Sequence, residues 1–131
     1  GTAVLVTAPG GLVTVSASAL TGYGRAGVSI TDGTVVVSGS TITGRGVGDF
    51  RNIGVEVLGA SSVGISGNTI SGNLGDPVAG GAGSAAVFVS DGGGAAAPVV
   101  SAFGNAVSGN LTGFDLGDAA GDASIVGVNY N

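Results

Sequence analysis

Cysteine, histidine, lysine, methionine and tryptophan are all missing from this chain. Without cysteine there is no disulfide and no thiolate chemistry. Without histidine, cysteine and lysine there is no Ser-His-Asp triad, thiol nucleophile or Schiff base, and zinc would have carboxylates alone as ligands. Positive charge is limited to Arg25, Arg45 and Arg51, against Glu56 and seven aspartates. An acidic chain without lysine argues against nucleic acid and anionic membranes as partners, because both require cationic contacts. The uncharged stretch Gly92 to Gly113 is interrupted by Gly, Pro, Ser and Asn, so no membrane-inserting segment is expected. A signal peptide and an initiator methionine are also missing, which reads as a processed form or an excised piece of a longer protein.

What is present is narrow in kind. The apolar residues are almost all Val, Ile and Ala, with four Phe and two Tyr, and 29 positions are Gly. Large side chains are too few for a thick globular core. The composition suits a thin one, in which β-branched residues stack on copies of themselves and glycine makes the turns.

One phrase recurs along the chain: Val13-Thr14-Val15-Ser16-Ala17-Ser18, Val35-Val36-Val37-Ser38-Gly39-Ser40, Val63-Gly64-Ile65-Ser66-Gly67-Asn68, Val100-Ser101-Ala102-Phe103-Gly104-Asn105 and Val126-Gly127-Val128-Asn129-Tyr130-Asn131. Each copy follows a short alternating segment: Val4-Leu5-Val6, Val28-Ser29-Ile30, Val55-Glu56-Val57, Val87-Phe88-Val89 and Phe114-Asp115-Leu116. The first four copies precede a third segment centred on Leu20, Ile42, Ile70 and Val107. The unit is therefore three short strands separated by turns rich in Gly, Asp and Asn. Successive units start 24, 27, 32 and 27 residues apart, and the excess falls in turns, chiefly residues 45–52, 74–84 and 92–98. Insertions confined to turns are what a stacked repeat tolerates, because the strands must stay aligned while loops are free.

The pieces Val63 to Asn73 (VGISGNTISGN) and Ser101 to Asn110 (SAFGNAVSGN) resemble right-handed parallel β-helix repeats, the kind shared by pectate lyases, alginate-modifying enzymes and bacterial surface adhesins. The resemblance covers nearly the whole chain and implies an all-β fold without helices: a right-handed parallel β-helix of about five rungs of three short strands, residues 1–131 forming one domain. It implies little about activity, since such folds host lyases, hydrolases, epimerases and inert stalks. Among related lyases an Arg or Lys beside carboxylate-bound Ca²⁺ acts as base. Here every Arg lies at or before residue 51, while the main acid cluster lies in the last two repeats.

Stacking the repeats predicts interior ladders Val4/Val28/Val55/Val87/Phe114, Val6/Ile30/Val57/Val89/Leu116, Val15/Val37/Ile65/Ala102/Val128 and Leu20/Ile42/Ile70/Val107. It also predicts a polar column, Ser18/Ser40/Asn68/Asn105/Asn131, at the turn after the main strand, where side-chain amides can satisfy corner backbone groups. The residues between the ladder positions of the first strand, such as Glu56 and Phe88, should point outward. At roughly 4.8 Å per rung the stack is about 24 Å tall, and both ends should present open rungs.

Two candidate sites follow. Asp32, Asp91 and Asp118 each fall two residues after an inward position and should share one corner, with Asp91 and Asp118 roughly 5 Å apart on adjacent rungs. Asp91 and Asp118, together with Asp122 in GFDLGDAAGD, are the candidate Ca²⁺ ligands; ordinary Asp-Gly turns are the competing reading. Tyr23, Arg45, Asp49 and Asp76, on and beside the loops 45–52 and 74–84, are candidate carbohydrate contacts, with Arg45 stacked against Tyr23. Phe50 and Tyr130 are further aromatic platforms. No catalytic residue is assigned.

The functional expectation is a non-enzymatic structural or adhesive segment, a rod or spacer of a bacterial cell-surface or extracellular solenoid, which self-associates or continues through its open ends and needs no cofactor. The alternative is a carbohydrate-binding or polysaccharide-degrading module using loops 45–52 and 74–84.

Overall fold

The computed structural model describes residues 1–76, 83–94, 96–117, 121–129 and 131. Twelve strands account for most of them: β1 (Val4–Ser16), β2 (Ala19–Thr21), β3 (Ala26–Ser38), β4 (Thr41–Val47), β5 (Ile53–Leu58), β6 (Ser61–Ser66), β7 (Thr69–Gly75), β8 (Ala85–Ser90), β9 (Val99–Phe103), β10 (Ala106–Ser108), β11 (Phe114–Leu116) and β12 (Ile125–Asn129). No α-helix occurs among the described residues. Every strand pairing is parallel, each strand lying beside its counterpart one repeat away. Parallel pairing of consecutive repeats is what alternating Val and Ile with short polar turns favours, since each β-branched side chain then rests on an equivalent one.

The strands form an eight-stranded sheet, ordered β11-β8-β5-β3-β6-β9-β12 with β1 on β3, and a four-stranded sheet ordered β10-β7-β4-β2. The larger sheet forks at β3, whose first half pairs with β5 and whose second half pairs with β6. Together the sheets nearly close around the apolar interior, an arrangement compatible with a solenoid. The register reproduces each expected ladder: Val4, Val28, Val55, Val87 and Phe114 are successive partners, as are Val15, Val37, Ile65, Ala102 and Val128. Val28, Ile30, Val37, Ile42, Val55, Val57, Ile65 and Ile70 have no accessible surface.

The three-strand unit needs correction in the first two repeats. There the first and second segments run together as the 13-residue strands β1 and β3. A register break between Val6 and Leu12 marks the bend. Continuity is possible because Gly33 lies at φ 105° against Ala8, where an added Cβ would come within 2.5 Å of the Ala8 carbonyl oxygen. Only glycine allows that approach. In the third repeat Gly59 and Ala60 separate β5 from β6, and in the fourth an insertion separates β8 from β9.

A second correction concerns the outer face. Ser29, Glu56 and Phe88 occupy one outward column, in register across β3, β5 and β8, yet they are only 5%, 1% and 3% exposed. Ala26, Ile53 and Phe88, with Leu58 against them, make a small apolar cluster separate from the main core. The column is covered by arginine. Arg25 Nη2 donates to Glu56 Oε1 at 2.6 Å, and the Arg51 guanidinium lies 4.4 Å from the centre of the Phe88 ring. Ser29 Oγ donates to the other carboxylate oxygen, Glu56 Oε2, at 2.8 Å. Both oxygens of the buried acid are thereby satisfied, as a carboxylate held from water requires.

Candidate functional site

Three groups of polar residues stand out, at the corners where strands turn. The first is the column after the main strand. A glycine with positive φ precedes it in three repeats, at Gly39, Gly67 and Gly104, while Ala17 takes the same conformation in the first at φ 47°. The turn sets each following residue's backbone amide toward the next repeat. Ser18 N–H donates to Ser40 Oγ, Ser40 N–H to Asn68 Oδ1, Asn68 N–H to Asn105 Oδ1 and Asn105 N–H to Asn131 Oδ1, all between 3.0 and 3.1 Å. The asparagine Nδ2 groups reach back, from Asn68 to the Val37 carbonyl, from Asn105 to that of Ile65 and from Asn131 to that of Ala102, each at 2.9 Å. Asn68 and Asn105 are 1% and 3% exposed. Their polar groups are turned inward along the stack.

The second group lies at the corner after the third strand. Tyr23 is 5% exposed and belongs to the main core, its hydroxyl donating to Asn73 Oδ1 at 2.6 Å. Burial holds that hydroxyl protonated well above the ordinary tyrosine range. Asn73 N–H and Nδ2 both donate to Asn110 Oδ1, and Asn110 Nδ2 donates to the Ile70 carbonyl. Asn52 adds its Oδ1 as acceptor for Arg45 N–H and its own N–H as donor to Ser84 Oγ.

These contacts revise the expected carbohydrate surface. Tyr23 is inside and offers no ring to a sugar, because this corner brings it over Gly27, whose added Cβ would meet the ring at 3.1 Å. Arg45 does not stack on it. Its guanidinium lies 4.5 Å from the centre of the Phe50 ring, within its own loop. Arg45 and Asp49 are exposed and Asp76 is half-buried. What remains outside is a small patch of Arg45, Asp49 and Phe50.

The third group is acidic. Asp91 was expected beside Asp118, which lies outside the described residues, as does Tyr130. Among the described residues, Asp91 is tied to the turn of Asp122. Asp122 Oδ2 accepts from Ser90 Oγ at 2.8 Å and from Asp91 N–H at 3.1 Å, while Oδ1 accepts from the Ser124 hydroxyl and amide. Asp91 Oδ2 in turn accepts Ala123 N–H, and its Oδ1 accepts Gly93 N–H. Each carboxylate thus caps the other's turn, with donors that are all N–H or O–H. The bonds from Ser124, then those from Ser90 and Asp91, hold the Asp122 carboxyl well below the ordinary carboxylate range. Beside it an open depression of about 170 Å³ is lined by Leu116, Gly117, Asp122, Ser124 and Val126. No cluster of three or more metal-ligating residues is found among the described residues.

Sequence reasoning did not anticipate the Arg25–Glu56–Ser29 group. Its one signal is a charged residue set between Ser29 and Phe88 in an outward column. No protein-family model, curated protein or solved structure matches this chain.

Proposed function

We propose that this chain is a structural segment: a right-handed parallel β-helix of about five rungs, serving as a rigid rod or spacer in a bacterial cell-surface or extracellular protein. Right-handedness follows from the strong preference of parallel crossover connections. The observation that carries the reading is the direction of the corner hydrogen bonds. The buried polar corner residues Ser40, Asn68, Asn105 and Asn73 direct their side chains to the backbone or side chains of adjoining repeats. The carboxylates of Asp91 and Asp122 likewise cap turns. Such a chain gains stiffness from its polar groups and needs neither cofactor nor catalytic residue.

A second reading is a carbohydrate-binding module, favoured by the stack of the exposed Arg45 on the half-buried Phe50, with Asp49 exposed in the same loop. One measurement tests the stacked rungs and a second separates the two readings. Because the chain lacks cysteine, paired cysteines introduced at Thr41 and Thr69, which are in register, should oxidise to a disulfide, whereas Thr41 and Ala106, two repeats apart, should not. The opposite pattern overturns the stacked rungs. A glycan array and thermal melting with and without Ca²⁺ should show no retained sugar and no shift. Glycan binding that Arg45→Ala abolishes would replace the rod by the carbohydrate module.

A further inference from the structure

We infer that Asp32 is a site of spontaneous backbone modification: its carboxyl condenses with the Gly33 nitrogen to a succinimide that hydrolyses to isoaspartate. The fold withholds the same reaction from Asp91.

The chain has two Asp-Gly pairs, Asp32–Gly33 and Asp91–Gly92, and no Asn-Gly. Glycine in second place matters because no side chain shields its nitrogen from the carboxyl before it. By sequence alone the two pairs are equivalent. Their surroundings separate them. At Asp91 both carboxylate oxygens are engaged, Oδ1 accepting Gly93 N–H at 2.8 Å and Oδ2 accepting Ala123 N–H at 3.1 Å. The attacking nitrogen is engaged as well, Gly92 N–H donating to Ser90 Oγ at 3.0 Å. Asp91 is also only 9% exposed. Turning its carboxyl onto the Gly92 nitrogen breaks all three bonds.

Asp32 is half-buried, and its carboxylate accepts no hydrogen bond among the described residues. It can turn without losing a partner. Its peptide bond to Gly33 also lies at the bend of β3, where the ladders on both sides are interrupted. Pairing with β5 ends at Ile30 and pairing with β6 begins at Gly33, while on the other side β1 pairs with Asp32 and then Thr34. Backbone at such a break is held less firmly than within a continuous ladder.

The chemistry consumes nothing but water. The Gly33 nitrogen attacks Cγ of the protonated Asp32 carboxyl and a C–N bond forms. The carboxyl OH and the nitrogen's proton leave together as water. A second water then opens the cyclic imide. Addition at Cγ restores aspartate; addition at the main-chain carbonyl of Asp32 breaks its bond to nitrogen and leaves Gly33 joined through Cβ and Cγ. The main chain then carries an extra methylene at the bend, so the two halves of β3 cannot both keep register with β5 and β6.

The test uses the unmodified folded chain, aged at neutral pH and physiological temperature. Trypsin cuts after Arg25, Arg45 and Arg51, which places Asp32 in peptide 26–45, as its sole Asp or Asn, and Asp91 in peptide 52–131. Isoaspartate, located by enzymatic methyl acceptance and fragmentation mass spectrometry, should accumulate at Asp32 roughly tenfold or more faster than at Asp91, a difference of about 1.4 kcal/mol in barrier. In urea the two rates should converge. Equal rates in the folded chain, faster formation at Asp91, or protection of both sites that urea removes would each overturn the inference. Ser90→Ala, which takes away the acceptor of Gly92 N–H, should bring Asp91 toward the Asp32 rate; an unchanged rate at Asp91 overturns this account of its protection.

Discussion

Replacing Asn68 by Ala should be among the costliest polar substitutions in the molecule. Its Oδ1 accepts Ser40 N–H at 3.0 Å, and its Nδ2 donates to the Val37 carbonyl and to Asn105 Oδ1 at 2.9 Å each. Asn68 is 1% exposed and Ser40 2%, so no water replaces the lost partner without local opening. Two neutral bonds contribute about 1 kcal/mol each, and leaving the Ser40 amide buried and unpaired adds roughly 1–3 kcal/mol. The sum, about 3–5 kcal/mol, is a large share of the roughly 5–15 kcal/mol that holds a domain folded. Asn68→Asp tests the donor side separately: the acceptor for Ser40 survives, but an oxygen then faces the Val37 carbonyl and Asn105 Oδ1. Urea denaturation should rank both variants far below Ser18→Ala, whose exposed hydroxyl bonds Ser16 within its own turn. Amide exchange at Ser40 should accelerate in Asn68→Ala while that of Val57, a repeat away on another strand, changes least. A loss under about 1 kcal/mol with Ser40 still protected would refute the claim that the corner column holds the rungs together.

Other outcomes follow from the same geometry. Ala17→Gly should raise stability by up to about 1 kcal/mol, because Ala17 sits at φ 47° where its counterparts are Gly39, Gly67 and Gly104; Gly67→Ala should lower it by a similar amount, and thermal melting of the pair reads both. Tyr23→Phe should cost roughly 1–2 kcal/mol by leaving Asn73 Oδ1 without its hydroxyl donor. Burial raises the Tyr23 pKa in the folded state, so its contribution is complete below about pH 10 and is lost as the pH climbs beyond; phenolate absorbance of wild type against Tyr23→Phe should show no ionisation of this residue until the chain unfolds. For Asp122 the sign is reversed: its folded pKa is depressed, so the stability it lends is present above about pH 4 and is lost as the pH falls. Acidification should therefore release the Asp91 and Ser124 amides to exchange, and Asp122→Asn should make those amides less dependent on pH in that range.

The interior ladders and the corner column were legible from one strand of reasoning. An alternation of period two fixes which residues share a face, and a repeated phrase fixes which copies lie beside each other. Val4, Val28, Val55, Val87 and Phe114 needed no further information, nor did the row from Ser18 to Asn131. The candidate sites were less accessible. Whether Arg45 stacks on Tyr23 or on Phe50 depends on the path of a loop that no alternation governs. The partner of Asp91 depends on how the turn after Leu116 folds back.

What the sequence by itself determined is thus the repeat, the parallel pairing partners and the absence of cysteine, histidine and lysine. Tertiary structure alone decided which outward residues are covered. Glu56 and Phe88 have the spacing of solvent-facing positions, and local pattern assigns them to water. They are buried because Arg25 and Arg51, 31 and 37 residues earlier in the chain, come over that face from neighbouring turns. Tyr23 is inside for the same kind of reason. Period reports the direction in which a side chain leaves its strand, but coverage depends on what other turns of the stack place above it.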